Sequence, residues 1–130
     1  MASEPAIYGA LAGKRILVIE DEFIVAAMVA EALDHAGAIA LGPVGRVDDA
    51  LQAIGGVRLG APHIDAAVLD WNLCGDPGLP VAIALAGQAI PFVIATGYGS
   101  VESAFADRPL IAKPYAEDDL LAKLASLLAT

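Results

Sequence analysis

The stretch that decides the fold is Ala66-Ala67-Val68-Leu69-Asp70-Trp71-Asn72, an apolar run that stops at an acid. Such a run is typical of a buried strand whose carboxyl end reaches the surface. Three further apolar runs, residues 16–19, 92–95 and 110–112, also stop at polar residues. Because ligands of an open parallel α/β sheet bind beyond the carboxyl ends of its strands, we expect the side chains that follow these runs to share one edge. They are Glu20, Asp21, Asp70, Thr96 and Lys113.

The composition indicates one folded domain. A chain of 130 residues that is 58% hydrophobic can bury a sizeable core and is not a disordered tail. The longest uncharged stretch, residues 77–101, is interrupted by Pro80 and Pro91, so we interpret it as a core helix and a strand, not a membrane span. Residues 1–13 carry Glu4 and no basic residue, unlike a signal peptide. The single cysteine, Cys74, excludes an intrachain disulfide and favours the cytoplasm.

The charge of the chain argues against one class of partner. The formal net charge is −9, and the seven basic residues form no run. Nucleic-acid backbones are bound by basic faces. We therefore expect no direct nucleic-acid binding.

The order of the chain alternates strand and helix. Residues 1–13 are interpreted as a loose lead-in, and residues 14–130 as one domain. Strands are expected over 15–19, 39–41 and 65–69, then after Pro91 and after Pro109. Five rounds of strand and helix predict a doubly wound parallel sheet.

Helices are expected between these strands, over residues 22–36, after Asp48, over 79–86, from Ser100 through Phe105, and from Glu117 onward. Asp21 is placed to cap the first helix and Gly37 to end it. Gly42-Pro43 is expected to close the second strand, and Gly55-Gly56 to begin the loop before the third.

The side chains at the expected edge suit phosphoryl transfer, which needs positioning and charge neutralisation more than covalent chemistry. Glu20, Asp21 and Asp70 offer the hard oxygen ligands that Mg²⁺ prefers. Without a cation these carboxylates would raise one another's pKa. Lys113 can pair with phosphoryl oxygens, and the Thr96 hydroxyl can donate to them.

Four motifs resemble a known family. They are Ile-Leu-Val-Ile-Glu-Asp-Glu at 16–22, Asp-Trp-Asn-Leu at 70–73, Thr-Gly-Tyr at 96–98 and Lys-Pro-Tyr at 113–115. Together they resemble the receiver domain of bacterial two-component response regulators, over nearly all of the chain from Lys14. The resemblance implies a flavodoxin-like (βα)5 fold with strand order 2-1-3-4-5.

The resemblance also implies roles. Asp70 would be the phosphoacceptor, and Mg²⁺ would be held by Glu20, Asp21, Asp70 and the backbone carbonyl of Asn72. Thr96 would be the switch hydroxyl, and Lys113 would contact the phosphoryl group. A cis bond is expected between Lys113 and Pro114. Conformational or structural roles fall to Gly97, Tyr98, Leu110, Pro114 and Tyr115.

Three departures from the family pattern stand out. Leu110 occupies the position of the switch aromatic, so rotation of an aromatic ring there cannot operate. Residues 91–98 resemble a subgroup with a Phe-Ala-Thr-Gly-X-Tyr-like signature, tied to HWE/HisKA2 kinases, although Ile94 replaces its phenylalanine. Cys74 stands where a proline is common. Tyr98 either gates access to the phosphoryl group or packs as a half-exposed aromatic.

The predicted function is that of a single-domain response regulator and not of an enzyme. It would accept a phosphoryl group from a sensor histidine kinase or a histidine phosphotransfer protein, and signal through protein contacts, including a phosphorylation-dependent dimer. One alternative is a pseudo-receiver that binds a partner without phosphorylation. An aspartate-nucleophile phosphatase is disfavoured because Asn72 replaces the required second acid. A nucleotide-binding protein is disfavoured because no glycine-rich phosphate loop follows the first strand.

Overall fold

Five parallel strands form the central sheet in the computed structural model, which describes residues 4–60, 63–97, 105 and 107–129. The strands in chain order are β1 (Arg15–Ile19), β2 (Ile39–Val44), β3 (Ala66–Asp70), β4 (Asn72–Leu73), β5 (Asp76–Pro77), β6 (Phe92–Thr96) and β7 (Leu110–Ala112). The helices are α1 (Glu4–Leu11), α2 (Phe23–His35), α3 (Val47–Gly56), α4 (Leu79–Gly87) and α5 (Glu117–Leu128), with a 3-10 turn at Val57–Leu59.

The order of the large sheet is β2-β1-β3-β6-β7, and β4 and β5 form a separate antiparallel hairpin. Counting only the five parallel strands, this is the expected flavodoxin-like order 2-1-3-4-5. The sequence prediction of fold and topology is therefore confirmed.

Alternating apolar side chains divide the core between the two faces of the sheet, as strand geometry requires. Ile16 and Val18 of β1 pack with α1, α2 and α5, whereas Leu17 and Ile19 pack with α3 and α4. The three inner strands, β1, β3 and β6, are buried on both faces, which explains why their sequences are continuous apolar runs. No helix in the described ranges is long and apolar enough to span a bilayer.

The segment expected to be a loose lead-in contains a helix, α1, so that interpretation is wrong for residues 4–11. Leu11 is fully buried and belongs to the same core cluster as Leu33 and Leu124, of α2 and α5. The eight residues of α1 have a weak apolar period, so tertiary contacts, which the sequence does not display, decide this helix.

Two turn predictions are also wrong. β2 continues through Gly42-Pro43 to Val44, and the backbone N–H of Glu20 still donates to the Val44 carbonyl at 3.0 Å. Gly42 permits this path because its φ is +92°. Gly55 and Gly56 lie inside α3, because two glycines cost only about 2 kcal/mol in a helix and burial of Ile54 offsets that.

The other expected helices begin and end within one or two residues of their predicted bounds. Gly37 ends α2 with φ +85°, as expected for a glycine after a helix. Of the short helix predicted from Ser100, only Phe105 lies within the described residues.

Candidate phosphoryl-acceptor site

The carboxyl ends of β1, β3, β6 and β7 bring the expected polar side chains to one edge. Asp70 ends β3, Thr96 ends β6, Glu20 follows β1 and Lys113 follows β7. The parallel register aligns these ends, because Asp70 pairs with Ala95 and Thr96 with Ala112. The expected convergence is therefore seen in the structure.

These strand ends open into a cleft of about 480 Å³. Its lining includes acids, a hydroxyl, an amide and one lysine: Asp21, Glu22, Asp70, Trp71, Asn72, Gly75, Thr96, Gly97 and Lys113. Such a concave, polar and partly open cleft can admit a phosphoryl group and hydrated cations.

Lys113 lies at the centre of the charges. Its Nζ atom is 3.1 Å from Asp70 Oδ2, 3.2 Å from Glu20 Oε2 and 3.3 Å from Glu22 Oε1. Burial lowers the pKa of Lys113, but the hydrogen bonds and negative charges of Asp70 and Glu20 outweigh burial, so the pKa is raised. One ammonium group therefore neutralises part of the negative charge of three carboxylates.

Glu22 was not among the predicted site residues. It lines the cleft and contacts Lys113, although its own side chain is largely exposed. The third acid of the Glu-Asp-Glu run at 20–22 was the available signal. It was missed because an acid before a helix is usually explained by the helix dipole.

Glu20, Asp21 and Asp70 each offer a carboxylate oxygen, and these oxygens lie within 4.8 Å of one another. Glu20 and Asp70 are 4% and 3% exposed, and acids this buried are rarely found without a close positive charge, which Lys113 supplies in part. Hard oxygen donors of this number and spacing fit a Mg²⁺ ion, which needs only one or two carboxylates besides its waters.

Burial raises the pKa of Glu20 from 4.5 to about 7, and the nearby charge of Asp70 adds to this effect. Burial likewise raises the pKa of Asp70, against the lowering effects of the Asn72 N–H and of Lys113. The expectation that the pKa of all three acids would be raised is wrong for Asp21. Burial raises its pKa too, but the hydrogen bond from the Cys74 N–H and further hydrogen bonds outweigh burial and lower it.

Asp21 does not cap α2, contrary to the sequence prediction. The N-cap residue is Glu22, which makes no side-chain capping bond, and its N–H donates to Glu20 Oε1 at 3.1 Å. The Asp21 carboxylate instead accepts a 2.9 Å hydrogen bond from the backbone N–H of Cys74. The side chain thus faces the β4–β5 hairpin.

Asn72 contacts the acceptor through its backbone. Its N–H donates to Asp70 Oδ1 at 3.1 Å, and its own side-chain oxygen accepts from the Gly75 N–H at 2.9 Å. Asn72 lines the cleft, and the role of its carbonyl as a metal ligand stays a prediction.

Thr96 and Gly97 also line the cleft, and the Thr96 carbonyl accepts from the backbone N–H of Lys113 at 2.9 Å. This bond ties the end of β6 to the lysine. Tyr98 lies outside the described residues, so its two interpretations stay predictions.

The remaining predicted residues flank the cleft. The Lys113–Pro114 bond is cis, as expected, and so is Gly42–Pro43, which was not predicted. Tyr115 packs against the core, and its pKa is raised to about 12 by burial and by the charge of Glu20. Leu110 is 37% exposed on the edge strand β7.

The chain is 42% identical to SdrG from Sphingomonas melonis Fr1. The match to its solution structure covers 88% of this chain and 97% of that one, with a TM-score of 0.69. Several other solved structures with the same fold are response-regulator receivers. The chain belongs to the receiver family of response regulators.

This receiver is also 29% identical to a response regulator protein from Burkholderia pseudomallei, with a TM-score of 0.69 over 87% of this chain and 69% of that one. That structure contains a phosphorylated aspartic acid, a calcium ion and citrate.

The transcriptional regulatory protein TcrA of Mycobacterium tuberculosis H37Rv is 34% identical to the receiver over 126 residues, or 92% of this chain. The receiver spans about half of TcrA, 47% of its length. No family model matches the chain. Membership of the receiver family supports a signalling role in a two-component system.

Proposed function

We propose that this receiver accepts a phosphoryl group on Asp70 in a Mg²⁺-dependent reaction. The observation that carries the proposal is the environment of Asp70: a buried carboxylate 3.1 Å from Lys113 Nζ, with oxygens of Glu20 and Asp21 within 4.8 Å. The phosphorylated aspartic acid and calcium ion of the Burkholderia pseudomallei relative support it.

The phosphodonor would be the phosphohistidine of a sensor histidine kinase, or of a histidine phosphotransfer protein. The P–N bond breaks and its electron pair returns to the imidazole, while a carboxylate oxygen of Asp70 forms the new P–O bond. Transfer requires an Asp70 carboxylate with a free lone pair. The ion pair with Lys113 supports this state, because the ammonium favours the charged carboxylate.

The phosphoryl group adds negative charge to a cleft that already holds several acids. Lys113 can exchange its contacts with Glu20 and Asp70 for phosphoryl oxygens, because a lysine ammonium is compact and sits on a flexible stem. Thr96 lines the same cleft and offers a hydroxyl donor. Glu20, Asp21, Asp70 and the Asn72 carbonyl would hold Mg²⁺, which neutralises charge on the transferred group.

The output of this cycle would be a change in protein contacts. Phosphorylation would bias the surface around β7 and α5, and a phosphorylation-dependent dimer is one form of that output. HWE/HisKA2 kinases are the donors that the 91–98 motif suggests. We place the reaction in the cytoplasm, because kinases make phosphohistidine from ATP.

The proposal is tested with the phosphoryl analogue beryllofluoride and Mg²⁺, observed by fluorine NMR. Wild type is expected to form a bound adduct, and Asp70→Asn none, because the amide lacks the charged oxygen that bonds to beryllium. Asp76→Asn on the hairpin is the matched control, since Asp76 is exposed, and should form the adduct like wild type. An Asp70→Asn protein that folds and keeps the adduct, or a wild type that never forms it, would contradict the proposal and favour a pseudo-receiver.

A further inference from the structure

One residue of the β4–β5 hairpin, Cys74, contacts a proposed metal ligand although the proposed chemistry does not use it. The backbone N–H of Cys74 donates to Asp21 Oδ2 at 2.9 Å, and its thiol lies 3.5 Å from the Gly45 carbonyl. Cys74 thus joins three loops that follow different strands. We call these two contacts, from Cys74 to Asp21 and from Cys74 to Gly45, the hairpin tie.

The backbone at Cys74 adopts a conformation that its side chain disfavours. Cys74 and Gly75 are the two turn residues of the hairpin, with φ of +54° and +88°. Two positive φ angles are typical of the tight turn that joins two antiparallel strands, where asparagine, aspartate and glycine are preferred. Only one other described residue that is not glycine, Ala89, has a positive φ, at +56°.

Asp21 accepts a hydrogen bond from outside its own segment. It lies between the end of β1 and the start of α2, and it belongs to neither element. Its side chain makes no cap on α2, so that helix does not orient the carboxylate. The hairpin tie supplies a donor for one carboxylate oxygen.

The loop after β2 packs against the main chain of Asp21 through Gly45. A Cβ atom on Gly45 would lie 3.3 Å from the Asp21 Cα atom and 3.5 Å from the Glu20 carbonyl oxygen. The Gly45 carbonyl is also the acceptor for the Cys74 thiol. Asp21 is therefore enclosed between two loops that contact each other through Cys74.

We propose that Cys74 is a positioning residue, whose backbone N–H orients the Asp21 carboxylate and thereby sets the affinity of the cleft for a divalent cation. This inference rests on the proposed function, because it assigns a supporting partner to one of the proposed Mg²⁺ ligands. Partners that orient metal ligands typically change metal affinity by about 10- to 100-fold when they are lost.

The first test asks whether the tie exists in the protein without added metal. Amide hydrogen exchange at Cys74 is expected to be slow in wild type and at least about tenfold faster in Asp21→Ala, because the acceptor is gone. The Gly75 amide donates to Asn72 Oδ1 and serves as the internal control, with an unchanged rate. If the Cys74 rate is the same in both proteins, the inference is wrong, whether or not the protein binds Mg²⁺.

The second test measures Mg²⁺ affinity through the fluorescence of Trp71, which lines the cleft and is the single tryptophan of the chain. Cys74→Val is expected to weaken binding about tenfold, because a β-branched side chain opposes positive φ and so displaces the N–H. Cys74→Gly retains the N–H and accepts the φ angle, so it should restore affinity to within about threefold of wild type.

Ala89→Val is the matched control, since it places the same side chain at the same φ beyond the end of α4. It should lose as much stability as Cys74→Val and keep wild-type Mg²⁺ affinity. Equal Mg²⁺ affinities in all the variants, or equal losses of Mg²⁺ affinity in Cys74→Val and Ala89→Val, would overturn the inference. A wild type that binds no Mg²⁺ would refute the proposed function, and the exchange rates would still decide whether the hairpin holds Asp21.

Discussion

The two ends of the central sheet differ in what they bury. At the carboxyl end, Glu20 and Asp70 are buried with Lys113 between them. At the amino end, α1 packs on α5 and buries Leu11 in an apolar cluster. Burial of charged groups costs free energy, whereas burial of apolar groups is favourable. The amino end therefore stabilises the fold, and the carboxyl end reduces its stability. The comparison implies that the two ends can be changed independently.

The largest expected effect tests the amino end. Leu11→Ala should lower the free energy of unfolding by about 3 to 4 kcal/mol, because it leaves a cavity under α1 in a fully buried position. Urea unfolding measures the loss, and beryllofluoride binding at low temperature should be unchanged. Leu59→Ala is the control, because Leu59 is 89% exposed. A loss below about 1 kcal/mol would mean that α1 does not stabilise the domain.

The next effect tests the carboxyl end. Lys113→Met removes the ammonium beside two buried carboxylates and should cost about 2 to 3 kcal/mol at pH 8. Added Mg²⁺ should restore part of this stability, because a cation again neutralises the acids. Lys123→Met, outside the cleft, is the control. If Mg²⁺ stabilises wild type and Lys113→Met equally, the lysine and the ion do not share the same carboxylates.

The third prediction concerns pH. The Glu20 pKa is raised from 4.5 to about 7 in the folded state, so its protonation stabilises the fold below pH 4.5, and this stability is lost as pH rises through about 7. Without metal, the free energy of unfolding should be about 2 kcal/mol higher at pH 5 than at pH 8. Asp70, whose pKa is also raised, acts in the same direction.

Glu20→Gln should flatten this pH dependence, whereas Glu117→Gln, an exposed acid of α5, should not. For the same reason, the Mg²⁺ affinity of wild type should fall as pH drops below 7, because protons and the ion compete for the carboxylate. Stability that rises between pH 5 and pH 8 would contradict the assignment.

The smallest effect returns to the amino end. Ala89→Gly should raise the free energy of unfolding by about 1 kcal/mol, because glycine adopts φ +56° without a side-chain clash. Thermal unfolding detects a gain of this size as an increase of several degrees in Tm. Mg²⁺ affinity should not change. A change in affinity would show that the two ends of the sheet are coupled.

Much of the fold followed from local patterns. Each apolar run that stops at a polar residue marks a buried strand and its carboxyl end, so Asp70, Thr96 and Lys113 were placed correctly. The element α1 was missed because its eight residues are helical only when Leu11 packs on α2 and α5. The β4–β5 hairpin was missed because Cys74 is an unusual residue for a tight turn.

The sequence by itself determined the parallel sheet and the chemical groups at its edge, because strand periodicity and residue type are local properties. Only the tertiary structure decided how those groups interact. In the tertiary structure, Glu22 forms an ion pair with Lys113, and Asp21 accepts a hydrogen bond from the Cys74 N–H instead of capping a helix. The pKa of Glu20 is raised, whereas that of Asp21 is lowered. The reason is that burial and hydrogen bonding depend on distances between segments that are 53 to 91 residues apart in the chain.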